Sequence, residues 1–191
     1  GSTPRRSYER LAEPAVASRV QWPLVQVVWV DERCVPPGDA DSNYKLARET
    51  LLDHVPIPAA NVHRMRGEDD PAAAAASYER TLRALFSVPS GAPSTMPGQR
   101  IDLAVMGLGD NGHTASIFPG SAAIDERERW AMAERVSAAP PWRITLTAPV
   151  LNACAELLFL VVGSAKATVL HRVLDGPSLP RELPAQLIAP S

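Results

Sequence analysis

A chain of 191 residues, 46% of them hydrophobic and 21% charged, is long enough to bury one substantial core and is not composed like a disordered one. Its formal net charge of −2, with acids and bases interspersed, leaves no lysine- or arginine-rich block to grip nucleic acid or an anionic membrane. Apolar runs are strand-sized and no secretory pattern is visible, so a cytoplasmic protein is expected, with a single domain spanning residues 1–191.

Ser7 to Ala12 reads as a short helix with Ser7 as its N-cap. Leu24 to Val30 (LVQVVWV) is a β-branched run expected to form a buried strand, ending in Asp31-Glu32-Arg33. After the loop Pro36-Pro37-Gly38, Ser42 or Asn43 caps a helix that carries Tyr44, Ala47 and Leu51 on one face. Asn61 to Met65 reads as a short strand. Asp69-Asp70-Pro71 opens an alanine-rich helix to about Phe86, with the proline suited to the first turn. Residues 88–99, VPSGAPSTMPGQ, read as a surface loop.

The stretch Ile101–Gly120, IDLAVMGLGDNGHTASIFPG, carries the densest signal. Ile101 to Met106 predicts a strand buried on both faces. It runs into Gly107, Gly109 and Gly112, then His113, with a short helical stretch over Thr114, Ala115 and Ser116 ended by Pro119-Gly120. Such a turn gathers backbone N–H groups into an anion site to which a helix dipole adds, and it favours a neutral imidazole over the imidazolium. Beyond it, Trp130 to Val136 reads equally as strand or helix. Arg143 to Thr147 and Leu157 to Val162 read as strands, Gly163 to Lys166 leads into a helix ending near Leu174, and Ala185 to Ile188 is a further expected strand. Apolar strands alternating with helices imply an α/β architecture: a mostly parallel, open, Rossmann-like sheet with helices on both faces. Ligands bind at the carboxyl edge of such a sheet, which draws Arg33, His113 and Lys166 together.

Each candidate also has a plainer reading. His113 alone serves equally well as a turn-capping histidine, and the glycine-rich setting favours catalysis. Arg33 reads as a solvated strand-end charge, Lys166 as an exposed lysine and Arg143 as an edge-strand charge. Gly107, Gly109 and Gly112 spell G-x-G-x-x-G, but Pro119-Gly120 cuts the following helix short and no acidic ribose ligand follows a second strand. Lys166 lacks the rest of a phosphate loop, and there is no G-x-S-x-G elbow. His54, His63 and His171 lack metal-ligand spacing; Cys34 and Cys154 form no C-x-x-C pair and read as small buried hydrophobes. One histidine among several cations suits activation of water against a phosphorylated substrate.

In the order WVDERCVP, SNYKLARETLL, VHRM, GLGDNGHTASIFPG, RITLTAPVLNA and LVVGSAKATVLHRVL, the chain resembles the short, sugar-phosphate-isomerase-like 6-phosphogluconolactonases over essentially its whole length. Glucosamine-6-phosphate deaminases share the glycine turn and G-x-x-K-A but lack T-A-S-[IL]-F-P and R-I-T-L-T. The resemblance implies hydrolysis of 6-phospho-D-glucono-1,5-lactone to 6-phosphogluconate, the second step of the oxidative pentose phosphate pathway, with no metal or cofactor and with a sugar-phosphate lactone, not nucleic acid or membrane, as partner. It implies His113 as the general base, with Asp110 and Asn111 beside it. Gly1, Ser2 and Thr3 correspond to a phosphate loop, and Arg33, Arg143 and Lys166 to cations around the phosphate, with Asp31 orienting Arg33. N–H groups of the turn around Gly109 and Gly112, or a nearby cation, would meet the oxyanion.

Two departures stand out. Asn111 occupies the place where the family usually has aspartate before Gly-His, a loss that Asp110 could make good. Segments usual before G-S-T-P and after L-P-A-Q-L are absent, so the domain is expected to be truncated at both ends. The rivals are an amino-sugar-phosphate deaminase or isomerase, a phosphosugar-binding relative inactivated by Asn111, and a dinucleotide-binding domain.

Overall fold

The computed structural model describes residues 3–88 and 100–189; Gly1, Ser2 and most of the 88–99 loop lie outside the described residues. Helix α1 (Arg5–Ala12) and the single turn α2 (Pro14–Ala17) open the chain. Pro4, not Ser7, holds the cap position of α1, and the Tyr8 N–H donates to its carbonyl at 3.0 Å. Proline's restricted φ (here −77°) suits it to a helix start, which moves the boundary upstream of the serine.

The expected strand over 24–30 is broken. Residues Trp22–Leu24 form a 3-10 turn, and β1 (Val27–Val28) pairs in parallel with β3 (Val62–His63). The chain then switches sheets, because β2 (Asp31–Arg33) pairs antiparallel with β6 (Trp142–Leu146). Trp29 sits at the switch. Its N–H donates to the Tyr78 hydroxyl at 2.7 Å, and that hydroxyl donates to its carbonyl at 3.0 Å. A buried tyrosine thus satisfies the backbone groups that a continuous ladder would have used.

Helix α3 (Asn43–Thr50) starts at Ser42, whose hydroxyl accepts from the Lys45 N–H at 3.1 Å. Helix α4 (Pro71–Leu85) starts as expected, with Asp70 accepting from the Ala73 N–H at 2.9 Å. It lays Ala74, Ala75, Tyr78 and Leu82 against β5 (Ala131–Arg135) and β6. The ambiguous 130–136 segment is therefore a strand, and β2, β6 and β5 form a three-stranded antiparallel sheet.

Strand β4 (Leu103–Gly107) pairs in parallel with β7 (Glu156–Leu160), which follows the short helix α5 (Ala148–Asn152). Parallel pairs joined through helices make the α/β, Rossmann-like part of the fold. Ala104 and Met106 face the core, but Leu103 and Leu158 on the other face are 50% and 46% exposed, so β4 is not buried on both faces. Helix α6 (Ala167–Leu174) does not cover them; its Val169 is buried in a small cluster with Leu108, Leu183 and Ala185. The expected strand at 185–188 is a 3-10 turn over Pro184–Leu187, and its Ala185 N–H donates to the Gly112 carbonyl at 2.9 Å. One core containing Trp29, Met65, Leu82, Ile117, Ile144, Leu146 and Leu151 draws on all three sheets. Among the described residues, no helix is long and apolar enough to cross a membrane.

Candidate active site

A cleft of about 500 Å³ is lined by β1, β4 and residues that follow both strands. Asp31, Arg33, Gly109, Asp110, His113 and Lys166 line it, together with Thr3. Gly1 and Ser2, the other two positions of the expected phosphate loop, lie outside the described residues. Sequence elements more than a hundred residues apart thus meet where the architecture placed them.

The turn after β4 is not a helix start. Residues 113–118 form a tight turn closed by an isolated bridge between Thr114 and Ile117, with Ala115 at φ 47°. The Thr114 hydroxyl donates back to the Gly107 carbonyl at 2.8 Å, and the Gly109 N–H donates to the His113 carbonyl at 2.8 Å. These bonds fold the segment onto the end of β4 instead of letting it wind into a helix, so no helix dipole acts on His113. Gly112, at φ +80°, makes the reversal and packs against Leu183; L side chains rarely adopt that backbone.

His113 is seated by this turn. Its ring stacks on Phe118 with centroids 4.1 Å apart and planes 21° apart. Gly109 lies against the ring, where a Cβ would come within 2.0 Å of it, so any larger residue there displaces the imidazole. Nδ1 is 2.6 Å from the Asn111 side-chain oxygen. Burial is the main influence on the ring and holds its pKa below 6.5; Asp31 and Asp110 push it up, Lys166 and Arg143 push it down. The neutral form is favoured through burial, in place of the helix dipole expected from the sequence.

Three of the expected roles change in detail. Asp110 acts on the ring through its charge and not through a hydrogen bond: its carboxylate pairs with Lys166, which is what lowers its own pKa. Asp31 does not touch Arg33. It accepts from Ser116 Oγ at 2.7 Å and from Asn43 Nδ2 at 3.2 Å, while Arg33 Nη1 donates to Asn43 Oδ1 and to the Asp41 carbonyl, both at 2.8 Å. Asn43 is the link between them. Arg143 stands opposite Arg33 in the β2–β6 register but lies outside the cleft lining; its Nη1 donates to the Pro140 and Trp142 carbonyls.

Residue order alone gives no site role to Asn43, Ser116, Phe118 or Glu32. Glu32 is 2% exposed and accepts from the N–H groups of Arg33, Asn43 and Tyr44 and from the Ser42 hydroxyl, at 2.7–3.1 Å. Burial raises its pKa and those four donors pull it back. The carboxylate ties β2 to the start of α3, which holds Arg33 and Asn43 at one end of the cleft. An acidic residue flanked by Asp31 and Arg33 in sequence gave no sign of being the buried one.

Taken together, parallel strands with a histidine and cations gathered in one cleft beyond their ends place the chain among α/β proteins of Rossmann-like build. The chain belongs to the family described as glucosamine-6-phosphate isomerases/6-phosphogluconolactonase, which it matches over residues 1–191. It is 37% identical over 191 residues to a 6-phosphogluconolactonase of Nostoc sp., covering all of this chain and 75% of that one. A probable chloroplastic 6-phosphogluconolactonase of rice is 36% identical over 187 residues, covering 96% of this chain; the match spans only 57% of the rice protein. The fold superposes on a 6-phosphogluconolactonase from Thermotoga maritima with a TM-score of 0.81 at 30% identity, over 100% of this chain and 77% of that one.

Proposed function

We propose that this chain carries the active site of a 6-phosphogluconolactonase, hydrolysing 6-phospho-D-glucono-1,5-lactone to 6-phospho-D-gluconate. The observation that carries the reading is His113: a neutral, stacked imidazole in a cleft that also presents Lys166 and Arg33. The names of the relatives support the same substrate. In this reading Arg33, Lys166 and Thr3 receive the phosphate, with Gly1 and Ser2 completing the loop. Arg143 acts on the phosphate through its charge beside Arg33. His113 Nε2 takes a proton from water as the water oxygen bonds to the lactone carbonyl carbon. A nearby cation, or an N–H of the 107–112 turn other than those of Gly109 and Gly112, which already donate to the His113 and Gly109 carbonyls, meets the resulting oxyanion. Collapse of the tetrahedral intermediate breaks the ring ester bond, and the imidazolium returns its proton to the departing ring oxygen. The two cysteines, Cys34 and Cys154, are both free thiols, in keeping with a reducing compartment such as the cytoplasm.

The test is lactone hydrolysis by the purified chain, corrected for spontaneous opening, alongside ammonia release from glucosamine 6-phosphate. Enzyme-dependent hydrolysis without ammonia supports the reading. Ammonia release, or hydrolysis only at the spontaneous rate, overturns it.

A further inference from the structure

Two donors converge on one oxygen of Asn111. The backbone N–H of His113 lies 3.2 Å from Asn111 Oδ1, and His113 Nδ1 lies 2.6 Å from the same atom. A backbone N–H can only donate, so the atom facing it is the amide oxygen and not the NH2 group. That oxygen can only accept, so Nδ1 must carry a hydrogen. A neutral imidazole has one N–H, which leaves the lone pair on Nε2, the nitrogen with no protein partner among the described residues. The ring is held against turning over by Phe118 on one face and Gly109 beside it, and a flipped ring would put a carbon against Oδ1.

Asn111 does this without charge. The charged groups already acting on the ring are Asp31 on β2, Arg143 on β6, Asp110 in the turn itself and Lys166 ahead of α6, two of each sign. A carboxylate at the Asn111 position would accept the same two hydrogen bonds but would add a negative charge in contact with the ring. We propose that Asn111 is a positioning residue that locks His113 in the Nδ1–H tautomer, leaving the lone pair on Nε2, without placing a charge against the ring. This rests on the reading of His113 as the base only for its effect on turnover; the tautomer itself follows from the contacts.

The experiment is ring 15N NMR of the 15N-histidine-labelled chain across pH, on the native protein and on Asn111→Ala and Asn111→Asp, with lactonase pH profiles of each. The native ring should show a protonated Nδ1 and an unprotonated Nε2 in its neutral form. Asn111→Ala should lose that order, drifting toward the Nε2–H tautomer that free imidazole favours, and kcat should fall by at least about tenfold with KM little changed. Asn111→Asp should keep the tautomer and raise the ring's midpoint by about one pH unit, carrying the acid limb of kcat/KM with it. A native ring protonated on Nε2, or an Asn111→Ala ring with native shifts, overturns the proposal whatever the lactonase activity. Rings that behave as stated in a chain without lactonase activity uphold it and sink only the reading of His113 as base.

Discussion

Glu32 and His113 are both withdrawn from water, and the protein treats them differently. Glu32 is surrounded by four donors and serves as the joint between β2 and α3. Glu32→Ala leaves those donors unpaired, and we expect a loss of about 2 kcal/mol or more in urea unfolding, with weaker substrate binding as Arg33 loosens. His113 has one hydrogen-bonded nitrogen and one open one. Its pKa lies below 6.5, so kcat/KM should be flat through pH 7 and fall only as pH drops through the ring's own pKa. The same shift means the unfolded chain binds the proton more readily. The ring's contribution to stability is therefore complete above pH 6.5 and is lost as pH falls through the folded value. Sequence reasoning found His113, Arg33 and Lys166 because strand ends followed by glycines or charges are visible in one dimension. It could not find Asn43, which bridges Asp31 and Arg33, because hydrogen bonds between a strand end and a helix start depend on a fold the residue order does not display.

Strand and helix expectations held where one element owned its pattern. Helix α4 opens at Asp70-Pro71 because cap and first-turn proline act locally. They failed where tertiary bonds claimed the backbone: Tyr78 cuts the 24–30 run, Thr114 and Gly109 fold the 113–118 segment into a turn, and Gly112 recruits the 184–187 turn. Burial on both faces, inferred for 101–106 from its apolar run, fails: Ala104 and Met106 are buried on one face while Leu103 on the other is half exposed. Hydrophobicity reports what a strand can bury, not what lies over it. The contrast is measurable. Leu146→Ala, at a fully buried position, should cost about 2–5 kcal/mol by denaturant unfolding. Leu103→Ala should cost less than about 1 kcal/mol, since half of that side chain already faces solvent.

The whole chain is slightly acidic, yet its cleft gathers Arg33 and Lys166, beside Asp31 and Asp110, with Arg143 close behind. In the proposed function, attraction of the phosphate is therefore local. Raising ionic strength from about 0.05 to about 0.5 M should raise KM for the phosphorylated lactone while leaving kcat nearly unchanged. The cleft joins five stretches of chain, at the N-terminal end, around β1, along α3, around β4 and after β7, so the proposed phosphate grip and proton acceptor are built on separate elements and should fail separately. Steady-state lactone hydrolysis by His113→Ala and Arg33→Ala, side by side with the native chain, tests this most directly. We expect His113→Ala to lose about 10²–10⁴-fold in kcat at nearly constant KM, and Arg33→Ala to lose mainly in KM, by about tenfold or more. Native turnover in His113→Ala would contradict the assignment of the base and the mechanism built on it.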